Sequence, residues 1–95
     1  MRVKTLIVDT QVATSKINVW GVGLYPASGT SGTVVLYNEA DASKTAAKRV
    51  AALRSPYAAT ETASKEVMFT KPLYCETGLY VDLEGTNAVA FIYVD

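Results

Sequence analysis

The sequence predicts an all-β protein, an antiparallel β-sandwich that is small and jelly-roll-like. One observation is the run in which Leu79, Val81 and Leu83 alternate with more polar residues, as in a strand with one face in a core and the other in water. A second is the series of six or seven short, β-branched or aromatic segments separated by turn residues. A third is the length, because 95 residues, 49% of them hydrophobic, suffice for one core but not for two.

The first fifteen residues are expected to form an N-terminal strand or arm, and residues 16–95 the β-sandwich domain. Residues 3–8 mix β-branched and aliphatic side chains and predict a strand. The polar residues that follow, over 10–15, are expected to break it.

A second predicted strand spans residues 17–25 and ends before Pro26. Strict alternation puts Trp20, Val22 and Leu24 on one face, which we assign to the core. The glycines between them lie on the opposite face, where a glycine marks a bend or the close approach of another backbone.

The middle of the chain predicts a loop over 28–32, a strand over 33–37, and then an ambiguous stretch. Residues 42–53 contain strong helix formers after the plausible N-cap Asp41, which favours one short helix. The strand-rich surroundings favour an irregular loop followed by a strand over 49–53. The sequence leaves both alternatives open.

The C-terminal half contains a small-residue connection over 56–64 and a strand over 65–70 that Lys71-Pro72 is expected to interrupt. A tight connection over 85–87 leads into the last strand, over 88–94. The expected core comprises Trp20, Val22, Leu24, Val81, Leu83 and Phe91.

Both faces of that last strand are apolar, and it contains no proline or lysine that would protect a sheet edge. We therefore expect another segment to cover it. The candidates are the segment 1–15 of the same chain, a second copy, or another protein.

Composition argues against most enzymatic chemistry. The chain has no histidine, the usual acid–base group and metal ligand at neutral pH. The single Cys75 cannot form an intramolecular disulfide or a metal cage, and we expect it to be a small, half-buried apolar residue. The sequence thus predicts a non-enzymatic protein without cofactor or metal.

Charge and hydropathy argue against two classes of partner. The formal net charge is +0, so no general attraction to nucleic acid is expected. No apolar run approaches the roughly 20 residues of a membrane helix, and no signal-peptide pattern is present at the first residues. We expect a soluble protein, made inside the cell, that binds neither nucleic acid nor membrane.

Two charged patterns have a functional and a plain interpretation. Asp82 and Glu84 are two apart on a strand and share a face, which is compatible with a glycosidase pair or a calcium site. The polar face of an outer strand explains them as well, and we prefer it. A basic group could contact nucleic acid, but a solvated surface is the simpler interpretation. It comprises Lys44, Lys48, Arg49 and Arg54.

The tyrosines are the strongest sequence signal for binding, because tyrosine is enriched at protein interfaces. The alternative is that several of them merely cover the outer faces of the sheets. The candidate interface residues are Tyr25, Tyr37, Tyr57, Tyr74, Tyr80 and Tyr93.

Three stretches resemble small virion proteins of tailed bacteriophages: VWGVGLY at 19–25, GTVVLYN at 32–38, and GLYVDLEGTNAV at 78–89. The last is similar to the ending G-[LI]-Y-V-D-[VL]-x-G-T-x-A of those proteins. Residues 42–53 depart from the family pattern, which has a glycine-containing turn and a strand there. The resemblance implies a β-sandwich without catalytic residues, used as a capsid decoration or cement protein or as a minor head–tail component.

The resemblance therefore leads us to expect a non-enzymatic structural protein, most simply a capsid decoration or cement protein. It would bind the major capsid protein at the virion surface after synthesis in the host bacterial cytoplasm. A homo-oligomer is expected, with a trimer favoured. The alternative is a tail or tail-fibre component whose sandwich binds carbohydrate on a platform of Tyr25, Tyr57 and Tyr74.

Overall fold

The computed structural model describes residues 1–25, 31–55, 65–85 and 87–95, and it confirms the all-β prediction. Residues 28–30 of the loop predicted over 28–32 lie outside these residues, as does the whole connection predicted over 56–64, and Gly32 belongs to a strand. The eight strands are β1 (Arg2–Leu6), β2 (Thr10–Ala13), β3 (Ile17–Tyr25), β4 (Gly32–Tyr37), β5 (Arg49–Ser55), β6 (Lys65–Cys75), β7 (Leu79–Glu84) and β8 (Val89–Val94).

The strands form two four-stranded sheets in which every pairing is antiparallel. Sheet A has the order β1-β8-β3-β6, and sheet B has the order β2-β7-β4-β5. The pairs β1–β8, β2–β7, β3–β6 and β4–β5 are nested within one another along the chain. Nested hairpin pairs wrapped into two sheets are the arrangement of an eight-stranded jelly roll.

The two sheets enclose an aliphatic core. Strands β7 and β8 contribute alternate residues to it, among them Val81 and Ile92, which are fully buried. From β4 it receives Val34 and Leu36. None of the fully buried side chains among the described residues is aromatic. The predicted core positions Val22, Leu24, Val81 and Leu83 are confirmed.

Two predicted core residues lie elsewhere, for different reasons. Phe91 is on the outer side of β8, because Ala90, Ile92 and Val94 face the core instead. Trp20 is only half-buried, and its indole N–H donates to Asp95 Oδ2 at 3.0 Å. The last strand could present either of its apolar faces to a core, and packing against the second sheet selected the aliphatic one.

Trp20 is displaced because the pairing of β3 with β6 is irregular. Val19 pairs with Leu73, but Gly21 pairs with Met68, so residues 69–72 of β6 lie opposite Trp20 alone. The irregularity resets the alternation of β3: Val19 faces the core before it and Val22 after it. Lys71-Pro72, expected to interrupt the strand, lies within this bulge, and β6 continues to Cys75 on the edge of sheet A.

In the ambiguous stretch 42–53 the structure has the loop and strand, and not the α-helix. A 3₁₀ turn occupies Ala46–Lys48, and β5 begins at Arg49. Pairing with β4 decides the outcome, since β5 satisfies its backbone groups there and turns Leu53 toward the core. The polar stretch 10–15 was expected to break the first strand, yet it contains β2, which pairs with β7.

Strand β8, expected at a sheet edge, lies between β1 and β3. Of the three candidate covers, the first protects the edge of β8, because β1 of the same chain pairs with β8 from Arg2↔Val94 to Leu6↔Ala90. The outer apolar face of β8, with Phe91 and Tyr93, stays partly exposed, so the described residues do not cover that face as expected.

Substituting two neighbouring residues of β8 tests the assignment of its faces. Ile92→Ala should destabilise the protein by about 2–5 kcal/mol, because it leaves a cavity in a core that does not collapse. Phe91→Ala should cost about 1–2 kcal/mol, because Phe91 is only partly buried and the variant loses one aromatic contact, with Tyr25. Urea unfolding measures both, and a larger loss for Phe91→Ala than for Ile92→Ala would contradict the assignment.

Candidate interaction surface

Five of the aromatic side chains of the described residues lie on the outer side of sheet A. Register places them there: Gly21 pairs with Tyr93 and Gly23 with Phe91, whereas the core-facing residues of β3 alternate with these glycines. The five are Trp20, Tyr25, Tyr74, Phe91 and Tyr93. The side chains that fill the core are aliphatic, and these five rings lie on the outer surface of sheet A.

The glycines of β3 form the floor of this surface. A Cβ at Gly21 would lie 2.8 Å from the Val67 carbonyl oxygen and collide with the Met68 thioether, which covers the glycine. A Cβ at Gly23 would meet Glu66 Oε2 at 3.4 Å and Phe91 Cβ at 3.6 Å. Gly21 therefore permits β6 and its side chains to approach β3 closely, as glycines within strands often do.

The rings above this floor are held by specific contacts. Tyr25 and Phe91 pack edge to face, with centroids 5.0 Å apart and planes at 66°. The Tyr93 hydroxyl donates to Glu66 Oε2 at 2.7 Å. That hydrogen bond, with partial burial and the nearby negative charge, raises the pKa of Tyr93. Each of these three rings thus has an intramolecular contact that favours its observed orientation.

We call the central part of this surface the aromatic face. It is half-exposed in several places: Met68 is 47% exposed and Val3 52%. Glu66 is the one charged residue in the set, and its carboxylate accepts the tyrosine hydrogen bond. The set is Val3, Thr5, Gly21, Gly23, Tyr25, Glu66, Met68, Val89, Phe91 and Tyr93. A weakly charged surface of aromatic and apolar side chains has the character of an interface core.

The outer side of sheet B has the opposite character. Tyr37 and Tyr80 pair across β4 and β7 and are buried, at 4% and 8% exposure. The Arg49 guanidinium lies 5.9 Å from the centre of the Tyr37 ring, a cation–π contact. These two tyrosines fit the interpretation that some of the six merely cover an outer sheet face.

Side-chain hydrogen bonds hold the connection between β4 and β5 together and tie it to β2 and to the turn between β6 and β7. Asn38 Oδ1 accepts from the Thr77 N–H at 2.8 Å, and the Glu39 carboxylate accepts from the N–H and hydroxyl of Thr45, each at 2.8 Å. Gln11 Nε2 donates to the Glu39 carbonyl oxygen at 2.9 Å. Glu39 is buried, and these bonds satisfy its carboxylate and its carbonyl oxygen.

Asp9 joins this connection to sheet B. Its Oδ1 accepts from the Leu83 N–H at 2.8 Å, and its Oδ2 lies 3.2 Å from Lys44 Nζ. Lys44 also lies 3.6 Å from Asp82 Oδ1. Since β2 begins only at Thr10, the Asp9 carboxylate supplies Leu83 with an acceptor one residue before the strand starts.

The pKa values of the Asp9 and Asp82 carboxylates are shifted in opposite directions. Partial burial pushes the pKa of Asp9 upward, but the Leu83 hydrogen bond and Lys44 outweigh it, so the pKa lies below its usual value. Burial raises the pKa of Asp82, and the charge of Asp9 adds to the effect. Asp82 and Glu84 do share a face, as predicted, but Asp82 belongs to this ion network. No group of three potential metal ligands occurs within the described ranges.

The six predicted interface tyrosines are therefore divided among three places. Tyr25 and Tyr93 lie in the aromatic face, and Tyr74 lies beyond it, opposite Asn18 at the start of β3. Tyr37 and Tyr80 lie on sheet B, and Tyr57 is outside the described residues. Tyr25 and Tyr74 do not share one platform. Tyr74 pairs with Asn18, which is seven residues, or roughly 23 Å, from Tyr25 along β3.

Sequence reasoning missed Met68, Glu66 and Phe91 as members of the surface. The available signal was the pair Gly21 and Gly23, which predicts a close approach without showing which side chains fill the space. Cys75 is fully buried, more so than expected, and burial raises the pKa of its thiol. Like its aliphatic neighbours, Cys75 packs in the core.

Comparison with protein families, curated proteins and solved structures finds no match to the chain. Across the part of the chain that the structure describes, no helix has the length and apolar character needed to cross a membrane.

Removing the Asp9 side chain tests the link to sheet B. Asp9→Ala should destabilise the protein by about 1–2 kcal/mol, because the Leu83 N–H loses its acceptor. Asp9→Asn should cost less, since an amide oxygen can still accept that bond. Chemical unfolding at pH 7 measures both, and equal losses for the two variants would contradict the role of the Leu83 bond.

Because the pKa values of Asp9 and Asp82 are shifted in opposite directions, the two residues should affect the pH dependence of stability in opposite ways. The lowered pKa of Asp9 means that its contribution is present above the unfolded pKa and is lost as pH falls through the folded value. The raised pKa of Asp82 means that its ionisation opposes folding above the folded value. Asp82→Asn should therefore be neutral or stabilising at pH 7, with no such gain below pH 3. Unfolding of wild type and variant at both pH values measures this, and strong destabilisation by Asp82→Asn at pH 7 would contradict it.

Proposed function

We propose that this protein is a non-enzymatic structural protein of a tailed-phage virion, a capsid decoration or cement protein. In this role the aromatic face docks on the major capsid protein and stabilises the shell. The single observation that carries the proposal is the contrast between the two sheets. One outer side holds ordered, weakly charged aromatic side chains, and the other is charged and hydrogen-bonded to its own connection.

Two sequence features support the same role. The runs at 19–25, 32–38 and 78–89 resemble small phage virion proteins, and the absence of histidine fits a protein that performs no acid–base chemistry. The formal net charge of +0 suits docking by apolar contact, without attraction to nucleic acid or anionic membrane.

The size of the domain is compatible with such an interface. The molecule measures 40 × 27 × 20 Å, so an elliptical section through its two longer dimensions covers roughly 800 Å². A standard interface removes about 800 Å² from each partner. Docking through most of sheet A would therefore be of ordinary size, with the aromatic face at its centre.

The proposed assembly includes a homo-oligomer, with a trimer as the favoured form. Strand β1 already covers β8 within one chain, so self-association does not need β1 to be exchanged between copies. Light scattering of the full-length chain over a range of concentrations tests this part. A trimer mass supports it, and a monomer mass at every concentration overturns it without affecting the docking proposal.

Introducing a charge into the aromatic face tests the docking. Met68→Glu should reduce binding to capsids at least about tenfold, because a carboxylate would be buried without a partner. Co-sedimentation with capsids that lack the protein measures binding. The matched control is Ala52→Glu, which adds the same charge at an exposed position on the outer side of sheet B.

The two variants together decide the question. Loss of binding in Met68→Glu alone supports docking through the aromatic face, whereas equal binding by both variants overturns it. Quantifying the protein against the major capsid protein in purified particles tests the role itself. A near-stoichiometric copy number supports decoration, a few copies per particle favour the tail or head–tail connector, and absence from particles overturns the proposal.

A further inference from the structure

A separate depression lies beyond the aromatic face, where the start of β3 meets the ends of β6 and β8. Its volume is about 340 Å³, and its lining residues are Lys16, Ile17, Asn18, Tyr74 and Asp95. The backbone there is hydrogen-bonded, because Asn18 pairs with Tyr74 and the Asp95 N–H donates to the Asn18 carbonyl oxygen at 3.1 Å. Ile17, Asn18 and Tyr74 thus belong to paired strands, and Lys16 and Asp95 directly adjoin β3 and β8.

One wall of the depression is an exposed ring. Tyr74 is 58% exposed, the most exposed of the tyrosines that the structure describes. It belongs to the outer side of sheet A, where the paired residue Asn18 presents only a short amide side chain. A ring left open beside a short polar residue is accessible to a flat apolar surface of a ligand.

The polar groups of the depression fall into two kinds. The Asp95 carboxylate is anchored, because Oδ2 accepts from the Trp20 indole at 3.0 Å and Oδ1 lies 3.7 Å from the terminal amino group. The side chains of Lys16 and Asn18 and the Tyr74 hydroxyl form no hydrogen bond or ion pair with the described residues. The site thus combines the Asp95 carboxylate, an acceptor held in place, with donors that have no partner among the described residues. The Asn18 amide can both donate and accept.

This combination restricts the ligand. An anionic ligand would meet the Asp95 carboxylate, and a cationic one would meet the Lys16 ammonium. A neutral ligand with hydroxyl groups can donate to the carboxylate, accept from the ammonium, and lay an apolar C–H face on Tyr74. We propose that the depression binds a neutral saccharide unit.

The same geometry indicates binding without cleavage. Glycoside hydrolysis uses two side-chain carboxyl groups on opposite sides of the scissile bond, and Asp95 has the one side-chain carboxyl group among the lining residues. The inference goes beyond the proposed function and does not rest on it, because the depression and the aromatic face occupy different parts of sheet A.

The test is a glycan array containing neutral and acidic saccharides, probed with the fluorescently labelled full-length protein. The best neutral saccharide is then titrated by isothermal calorimetry. We expect saturable binding, a Kd at least about tenfold weaker for Tyr74→Ala, and a near-normal Kd for Tyr74→Phe, which retains the ring. Lys16→Ala should also weaken binding, and it changes an exposed side chain outside the strands.

The matched control is Tyr25→Ala, which removes another exposed tyrosine of sheet A, roughly 23 Å away along β3, and should leave the Kd unchanged within about twofold. No binding to any neutral glycan overturns the inference, as does binding confined to acidic glycans. Equal affinities for wild type, Tyr74→Ala and Lys16→Ala would also overturn it. Because no capsid is present, these results are independent of the docking experiments.

Discussion

The irregular pairing of β3 with β6 determines the character of sheet A. With Trp20 opposite four residues of β6, the side chains of β3 change sides once along the strand. Aliphatic residues reach the core both before and after that point, and Trp20 and the two glycines remain outside. Regular alternation would instead have turned either Val19 or Val22 away from the core. The bulge lets one strand contribute to the core along its whole length and still present a glycine floor.

The separation of aliphatic from aromatic side chains follows from this arrangement. Leucine, isoleucine and valine fill the narrow space between two four-stranded sheets, and most of the larger rings of the described residues lie outside it, where polar ends find partners. Phe69 is an exception, since it packs against the core. The Tyr93 hydroxyl donates a hydrogen bond to Glu66, and the Trp20 indole N–H donates one to Asp95. These contacts favour one orientation of each ring, so a partner that docked on them would have less side-chain entropy to overcome. Stability thus rests on the aliphatic residues, and the proposed docking on the aromatic ones.

The two outer sides of the sandwich differ because of their connections. On sheet B, residues 38–48 are held by Asn38 and the buried Glu39, while Lys44 bonds to Asp9 and Asp82. Each of those polar groups has an intramolecular partner, which leaves that side little to offer a ligand. Sheet A has rings and glycines at its centre and unused polar groups at one end. Binding is therefore proposed for sheet A alone, at two places with different chemistry.

The sequence by itself determined the fold class, most strand positions and four of six proposed core residues, because period-two alternation and turn residues act locally. Val81 and Leu83 could be assigned from their neighbours alone. Tertiary structure decided the rest. Whether Ile92 or Phe91 faced the core depended on which side met the second sheet, and whether residues 49–53 were strand depended on pairing with β4. The displacement of Trp20 depended on the register of β6, which lies more than forty residues away and leaves no trace in the local pattern of β3.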